Sequence, residues 1–252
     1  MPAHPAAHGF VIGRSVKSFT ELHVNRPVVI AMDLRHFFLT IRPGQVVRLF
    51  QRLGYEPAVS RALAGLCLNS TPEQELQAMD CVETRKLYRH PHLPQGAPTS
   101  PILANLLAYH LDCRLEGAAM ALGFCYSRYA DDLAFSSHQN NGRDVNALKK
   151  WVNTIVREEG FALNTVKTRV MSAARCQRLA GVVVNRKQSL PKAEIKRMEA
   201  ILFNCVRYGP TSQNREAHPD FRAWMEGKLA YIRHLAPHHF ERLDRHYRQI
   251  QW

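Results

Sequence analysis

The stretch FCYSRYADDLAFSS, residues 124–137, is apolar and β-prone on both sides of Ala-Asp-Asp. Such a pattern reads as a hairpin with Asp131 and Asp132 near its tip, and it ties the fold to an antiparallel sheet. Two like charges side by side repel and gain little in a half-buried strand. They become useful if a divalent cation sits between them and a third carboxylate. Mg²⁺ takes oxygen ligands, commonly shared between carboxylates and substrate phosphates, and its charge cancels the repulsion. The third carboxylate is Asp33, at the C-terminal end of VVIAM (28–32), a β-branched run after Pro27 that reads as a buried strand. Two metals held this way can activate a primer hydroxyl and stabilise a pyrophosphate leaving group. Taken alone, Asp-Asp is also an ordinary turn dipeptide.

The remaining pattern supplies cover for a sheet. Residues 43–68 are helical in spacing, interrupted at Gly54 and Pro57. LPQGAPTSP (93–101) is a loop in which Thr99 or Ser100 is expected to cap one long helix, ILANLLAYHLDCRLEGAAMAL, with Pro101 in its first turn. DVNALKKWVNTIVREEG is amphipathic, with Leu148, Val152 and Ile155 on one face and Gly160 as its stop. RVMSA and LAGVVVN read as short strands. After Leu190-Pro191 the chain turns helical, with Ile195, Met198, Ile201, Leu202 and Cys205 in one stripe. The expected fold is α+β: a sheet domain over 1–190 and a basic helical domain over 191–252.

Lys and Arg number 34 against 21 Asp and Glu, a formal charge of +13 among 252 residues. Such a surface attracts polyanions, nucleic acid being the commonest, although a basic protein without that role has the same composition. The six cysteines are scattered with no Cys-x-x-Cys pair, which argues against a zinc ribbon or a secreted disulfide framework. No apolar run approaches the ~18 residues of a membrane span, and MPAHPAAHGFVIGRS lacks the apolar core of a signal peptide. A cytoplasmic protein with no membrane partner is expected.

Several segments, in order, resemble a bacterial reverse transcriptase of the retron and group II intron type. They are HGFVIGRS (8–15), MDLRHFFLTI (32–41), LPQGAPTSPILANLL (93–107), YSRYADDLAFS (126–136), GFALNTVKT (160–168) and LAGVVVN (179–185), with GKLAYI (227–232) resembling a retron-like thumb. The resemblance implies an RNA-directed DNA polymerase with a right-hand palm and a helical thumb from 191. Asp33 and Asp131 become the direct ligands of two Mg²⁺ ions, with Mn²⁺ as substitute, and Asp132 supports them. Leu34, Phe38, Gln95, Gly96 and Tyr129 shape the nucleotide and primer site. Phe38 does so by clashing with a 2′-hydroxyl, while Phe37, its strand neighbour, faces the core. Lys167 serves as acid or counter-charge to pyrophosphate, and Leu179–Val184 holds the primer. Arg14, Lys17, Lys192, Lys196 and Arg197 contact phosphates.

The partners so implied are an RNA template, a primer and deoxynucleotides. A cognate non-coding RNA and an effector protein in antiviral defence belong to the same implication. His8-Gly9-Phe10 arrives almost at once where relatives carry a preceding fingers segment, so shortened fingers are expected, whether the chain is truncated, starts at an internal Met or belongs to an unusually short enzyme. Retron-type Asn-Ala-x-x-His is reduced here to His23 alone, the usual Val-Thr-Gly is Leu179-Ala180-Gly181, and His36 replaces a common acidic residue. Rival readings keep the same residues: a template-independent or protein-primed polymerase, an RNA-synthesising one, or a catalytically impaired nucleic-acid-binding remnant.

Overall fold

The computed structural model describes residues 2–139 and 142–252. A short helix, α1 (Val16–Glu21), is capped by the Ser15 side chain, and the chain then enters β1 (Val28–Asp33). Helices α2 (Pro43–Arg52) and α3 (Pro57–Cys67) follow, separated where Gly54 takes φ +96° and Pro57 starts the next helix. After α4 (Glu73–Gln77) and α5 (Val82–Tyr88) come α6 (Ser100–Leu107) and α7 (Tyr109–Ala121). The hairpin β2 (Phe124–Tyr129) and β3 (Asp132–Ser137) leads to α8 (Gly142–Glu158), β4 (Arg169–Ser172), and the ribbon β5 (Arg178–Leu179) and β6 (Val182–Val183). Three helices close the chain: α9 (Lys192–Tyr208), α10 (Phe221–Leu235) and α11 (Pro237–Tyr247).

The sheet runs β2-β3-β1-β4 and is antiparallel throughout. Alternation along β1 sorts its side chains between two cores. Val28, Ile30 and Met32 join Phe124, Tyr126, Leu133 and Phe135 against Leu111, Leu115, Leu148 and Val152 of α7 and α8. Val29, with Ala134 and Met171, faces a second core built from Phe19, Leu179, Met198, Leu202, Met225, Leu229 and Leu243. The C-terminal helices therefore share an apolar core with the sheet. The architecture is α+β.

Three local expectations need correction. The helix after the LPQG loop is two helices: ψ rotates to 0° at Ala108 while its N–H still bonds the Ala104 carbonyl. No glycine or proline lies there; the break falls between Asn105 and Asp112, both of which bond Arg128. Neither Thr99 nor Ser100 caps α6 with its side chain, because Thr99 already has helical φ and ψ and the Ser100 hydroxyl donates to the Pro94 carbonyl instead. Finally, β1 stops at Asp33, and residues 35–40 are turns with His36 at φ +53°. Phe37 is buried, but strand alternation is not the reason.

Candidate active site

The hairpin tip is a two-residue loop, Ala130-Asp131, closing the Tyr129–Asp132 pair. Ala130 adopts φ +55°, the left-handed conformation that tight hairpin loops of this length demand. In the sheet register Asp33 lies directly opposite Asp132. Facing residues of an antiparallel pair have Cα atoms roughly 5 Å apart and side chains on one face. Asp131 is fastened to the same strand end, since the Leu34 N–H donates to its carbonyl at 2.9 Å. Acidic residues from stretches a hundred positions apart thus meet at one corner of the sheet.

They line an open depression of about 540 Å³ with Ala31, Met32, Lys167 and Arg169. Lys167 donates to Asp33 Oδ1 at 3.0 Å, which raises the lysine above its ordinary pKa. Burial pushes the Asp131 carboxyl up, and the Asp33 charge adds to this. For Asp132, burial and then the charges of Asp131 and Asp33 push the value up to about 6. Among the described residues no set of three His, Cys, Asp or Glu side chains forms a ready-made metal cage. The donors are nevertheless hard oxygens, partly buried and under-neutralised, a fit for a divalent cation. The Lys167 ammonium stands where such a charge is needed. Its side chain is 63% exposed, and an ion pair that open is worth only ~0.2–1 kcal/mol, so a divalent ion can displace it.

This charge frustration has a measurable sign. Between about pH 4 and 6 folded Asp132 holds a proton that the unfolded chain has released, so its contribution to stability declines as pH rises through that window. Asp132→Asn is expected to flatten this decline and to raise stability at pH 7 by roughly 2 kcal/mol, allowing for solvent around the group. Urea denaturation at pH 4.5 and pH 7 reads both effects; parallel behaviour of variant and parent would contradict the assignment.

The other expected site residues lie around this corner or away from it. Leu34 is buried, and its side chain fills the first core. Phe38 is partly buried, edge-on to Phe37 at 5.3 Å and to Phe10 at 6.3 Å between ring centroids. Gln95 and Gly96 form an exposed turn, with Gly96 at φ +97°. Tyr129 packs by the Phe19 ring at the second core. None of these five lines the acidic depression. Arg14 is engaged with the Pro5 and Ala7 carbonyls, and Arg197 pairs with Glu216 at 3.1 Å. Lys192 and Lys196 are exposed, and Lys17 is partly so.

Three contributors escaped the sequence reading. Arg169 enters the depression because β4 pairs it with Ala31. His23 bridges the hydroxyls of Ser136 (2.7 Å) and Ser127 (2.8 Å), tying β3 to β2; burial lowers its pKa to about 3, so the bridge is neutral. Arg128, fully buried, makes a bidentate pair with Asp112, both bonds at 2.7 Å. Only register could have exposed the first, and only tertiary contacts the other two.

A family model described as reverse transcriptase (RNA-dependent DNA polymerase) matches residues 1–216. The retron Mx65 reverse transcriptase of Myxococcus xanthus is 41% identical, the alignment covering 97% of this chain and 55% of that protein. The retron Mx162 reverse transcriptase of the same organism is 36% identical over 94% of this chain and 50% of its own length. The retron Ec86 reverse transcriptase of Escherichia coli is 29% identical over 75% of this chain and 52% of its own. The chain spans about half the length of these curated relatives. No helix among the described residues is long and apolar enough to cross a membrane.

Proposed function

The chain belongs to the reverse transcriptase (RNA-dependent DNA polymerase) family, and from that premise we propose that it copies an RNA template by adding deoxynucleotides to a primer. The observation that carries this reading is the placement of Asp33 opposite Asp132, with Asp131 at the adjoining hairpin tip. Asp33 and Asp131 would hold two Mg²⁺ ions, or Mn²⁺ in their place, with Asp132 in support. Bound there, the ions supply Lewis-acid activation of the primer hydroxyl and neutralise charge on the departing pyrophosphate. Lys167, kept protonated by its bond to Asp33, is placed to follow that charge once released from the carboxylate.

Phe38 is held by two neighbouring rings and can reject a 2′-hydroxyl by steric contact. Gln95, Gly96 and Tyr129 complete the nucleotide and primer surroundings in this reading, and Leu34 contributes by holding Asp131. Residues 1–190 act as palm with partial fingers and 191–252 as thumb. Exposed Lys192 and Lys196, together with Arg14, Lys17 and Arg197, meet backbone phosphates in this reading, so binding weakens steeply with added salt. The relatives' names support a retron-type setting; a cytoplasmic location, an antiviral role, a cognate non-coding RNA and an effector protein are further parts of the same proposal.

Incubation with a primed RNA of defined sequence, four deoxynucleotides and Mg²⁺, followed by product sequencing, tests the proposal. The complement of the supplied RNA is expected; a product unrelated to it would exclude templated copying. In the same assay Phe38→Ala should lower the preference for deoxy- over ribonucleotides on the order of tenfold to a hundredfold. Unaltered sugar choice would remove Phe38 from the site.

A further inference from the structure

The acidic hairpin is braced from beneath by a buried polar chain that reaches the N-terminal segment. Arg128 spends one guanidinium edge on Asp112, with Nε and Nη2 each 2.7 Å from a carboxylate oxygen. Its remaining arm, Nη1, donates to Asn105 Oδ1 at 2.9 Å and to the carbonyl of Ala130 at 3.0 Å. Ala130 is the left-handed residue of the tip, immediately before Asp131. Asn105 in turn donates to the Gly9 carbonyl at 2.8 Å. Gly9 lies so close that a Cβ placed on it would stand 2.5 Å from the Ala130 nitrogen and 3.2 Å from the Tyr129 carbonyl carbon. The N-terminal segment is itself zipped onto Arg128: its N–H donates to the Ala6 carbonyl at 2.8 Å, and the His8 N–H to its carbonyl at 2.7 Å. Arg128, Asp112 and Asn105 have no solvent exposure.

A buried ion pair is by itself weak evidence of a stabilising role, because desolvation offsets much of the attraction. What distinguishes this one is where the spare arm goes. Both carbonyls of the tip are spoken for: that of Ala130 by Arg128, and that of Asp131 by the Leu34 N–H. Two fixed carbonyls hold the peptide planes on either side of Asp131 and with them its Cα–Cβ direction, while the register opposite Asp33 sets that of Asp132. We propose that Arg128 is the positioning residue of the acidic hairpin, oriented by Asp112 and Asn105, and that Gly9 is the steric stop against which the tip is seated. The proposal rests on reading Asp131 and Asp132 as cation ligands, because aim matters most to a group that must share an ion.

Two variants separate positioning from mere support. Arg128→Lys keeps a cation facing Asp112 but has no planar fork with which to hold Asn105 and Ala130 together. Gly9→Ala keeps every side chain of the buried network and pushes, through the added Cβ, on the Tyr129–Ala130 backbone. For each, amide hydrogen exchange across 128–133, Mn²⁺ binding to the free protein by electron paramagnetic resonance, thermal melting, and kcat and KM for primed template are measured. Exchange at the tip is expected to quicken at least about tenfold with 169–172 unchanged. Mn²⁺ affinity should fall roughly tenfold to a hundredfold, as for other groups that orient metal ligands, and kcat should fall while KM for primed template holds.

Folded variants with parental tip exchange and Mn²⁺ affinity would overturn the proposal. So would exchange rising evenly through the sheet, which would make the network a core support only. If Arg128→Lys fails to fold, Gly9→Ala decides alone. A parent that neither binds Mn²⁺ nor extends primers, yet shows the local exchange response, would sink the polymerase reading and leave the bracing of the tip intact.

Discussion

Asp131→Asn is expected to yield a folded protein that extends a primer at least about a thousandfold more slowly than the parent. Asparagine keeps the shape of the side chain and one oxygen but removes the negative charge. Metal-assisted transfer draws several kcal/mol of transition-state stabilisation from correctly held cations, and each 1.36 kcal/mol is a factor of ten in rate. Folding should not suffer, because in the free protein this carboxylate is penalised by burial and by the nearby Asp33 charge. The melting temperature is therefore expected to hold or rise while turnover collapses, a divergence that general misfolding cannot produce. Asp33→Asn should behave alike in rate, while also freeing Lys167 from its ion pair. Single-turnover extension at saturating Mg²⁺, paired with thermal denaturation, is the measurement. A rate within tenfold of the parent would place the chemistry elsewhere.

The second large effect is on stability. Asp112→Ala strands the Arg128 guanidinium in a site without solvent and deprives the Tyr126 hydroxyl of its acceptor at 2.8 Å. Burial alone would push the Arg128 pKa down, and the Asp112 bonds and charge outweigh it, so the arginine stays charged in the parent. Removing one partner of such a pair costs about 3–5 kcal/mol, which at this chain length is a drop on the order of 10 °C in melting temperature. Replacing both partners, Asp112→Leu with Arg128→Met, should recover part of the loss, because no uncompensated charge then remains. Urea denaturation of the two variants reads the difference. A loss below about 1 kcal/mol in the single variant would mean that water reaches the guanidinium.

Local pattern carried much of the architecture. The β-branched run of β1, the two arms of the hairpin and the apolar stripe of α8 each announce their period, and Gly54 and Pro57 mark the break between α2 and α3. The convergence of Asp33 with Asp131 and Asp132 was an expectation from chemistry, and the strand register now gives it a place. Less legible was anything decided at a distance. Helix α5 buries no residue, so it has no stripe to betray it. Thr99 lost its capping role to the way the loop seats Ser100 on Pro94. Arg128 reads as one basic residue among 34 Lys and Arg, and its burial follows only from Asn105 and Asp112 on two other elements, the helices α6 and α7. Gly9 reads only as part of the HGFVIGRS block, and its steric role emerges with the approach of Ala130. Lys167 reads as a free acid, whereas the fold gives it Asp33 as a partner.

The division of β1 between two cores has a mechanical side. Adjacent residues of this strand are plugged into opposite apolar masses: Val28 and Ile30 into one with α7 and α8, Val29 into the other with α9 to α11. Packed interiors are stiff and pass on displacement instead of absorbing it. A load on the C-terminal helices therefore arrives at the strand that ends in Asp33 with no slack joint in between. A handle and its cutting edge have been forged here from one bar.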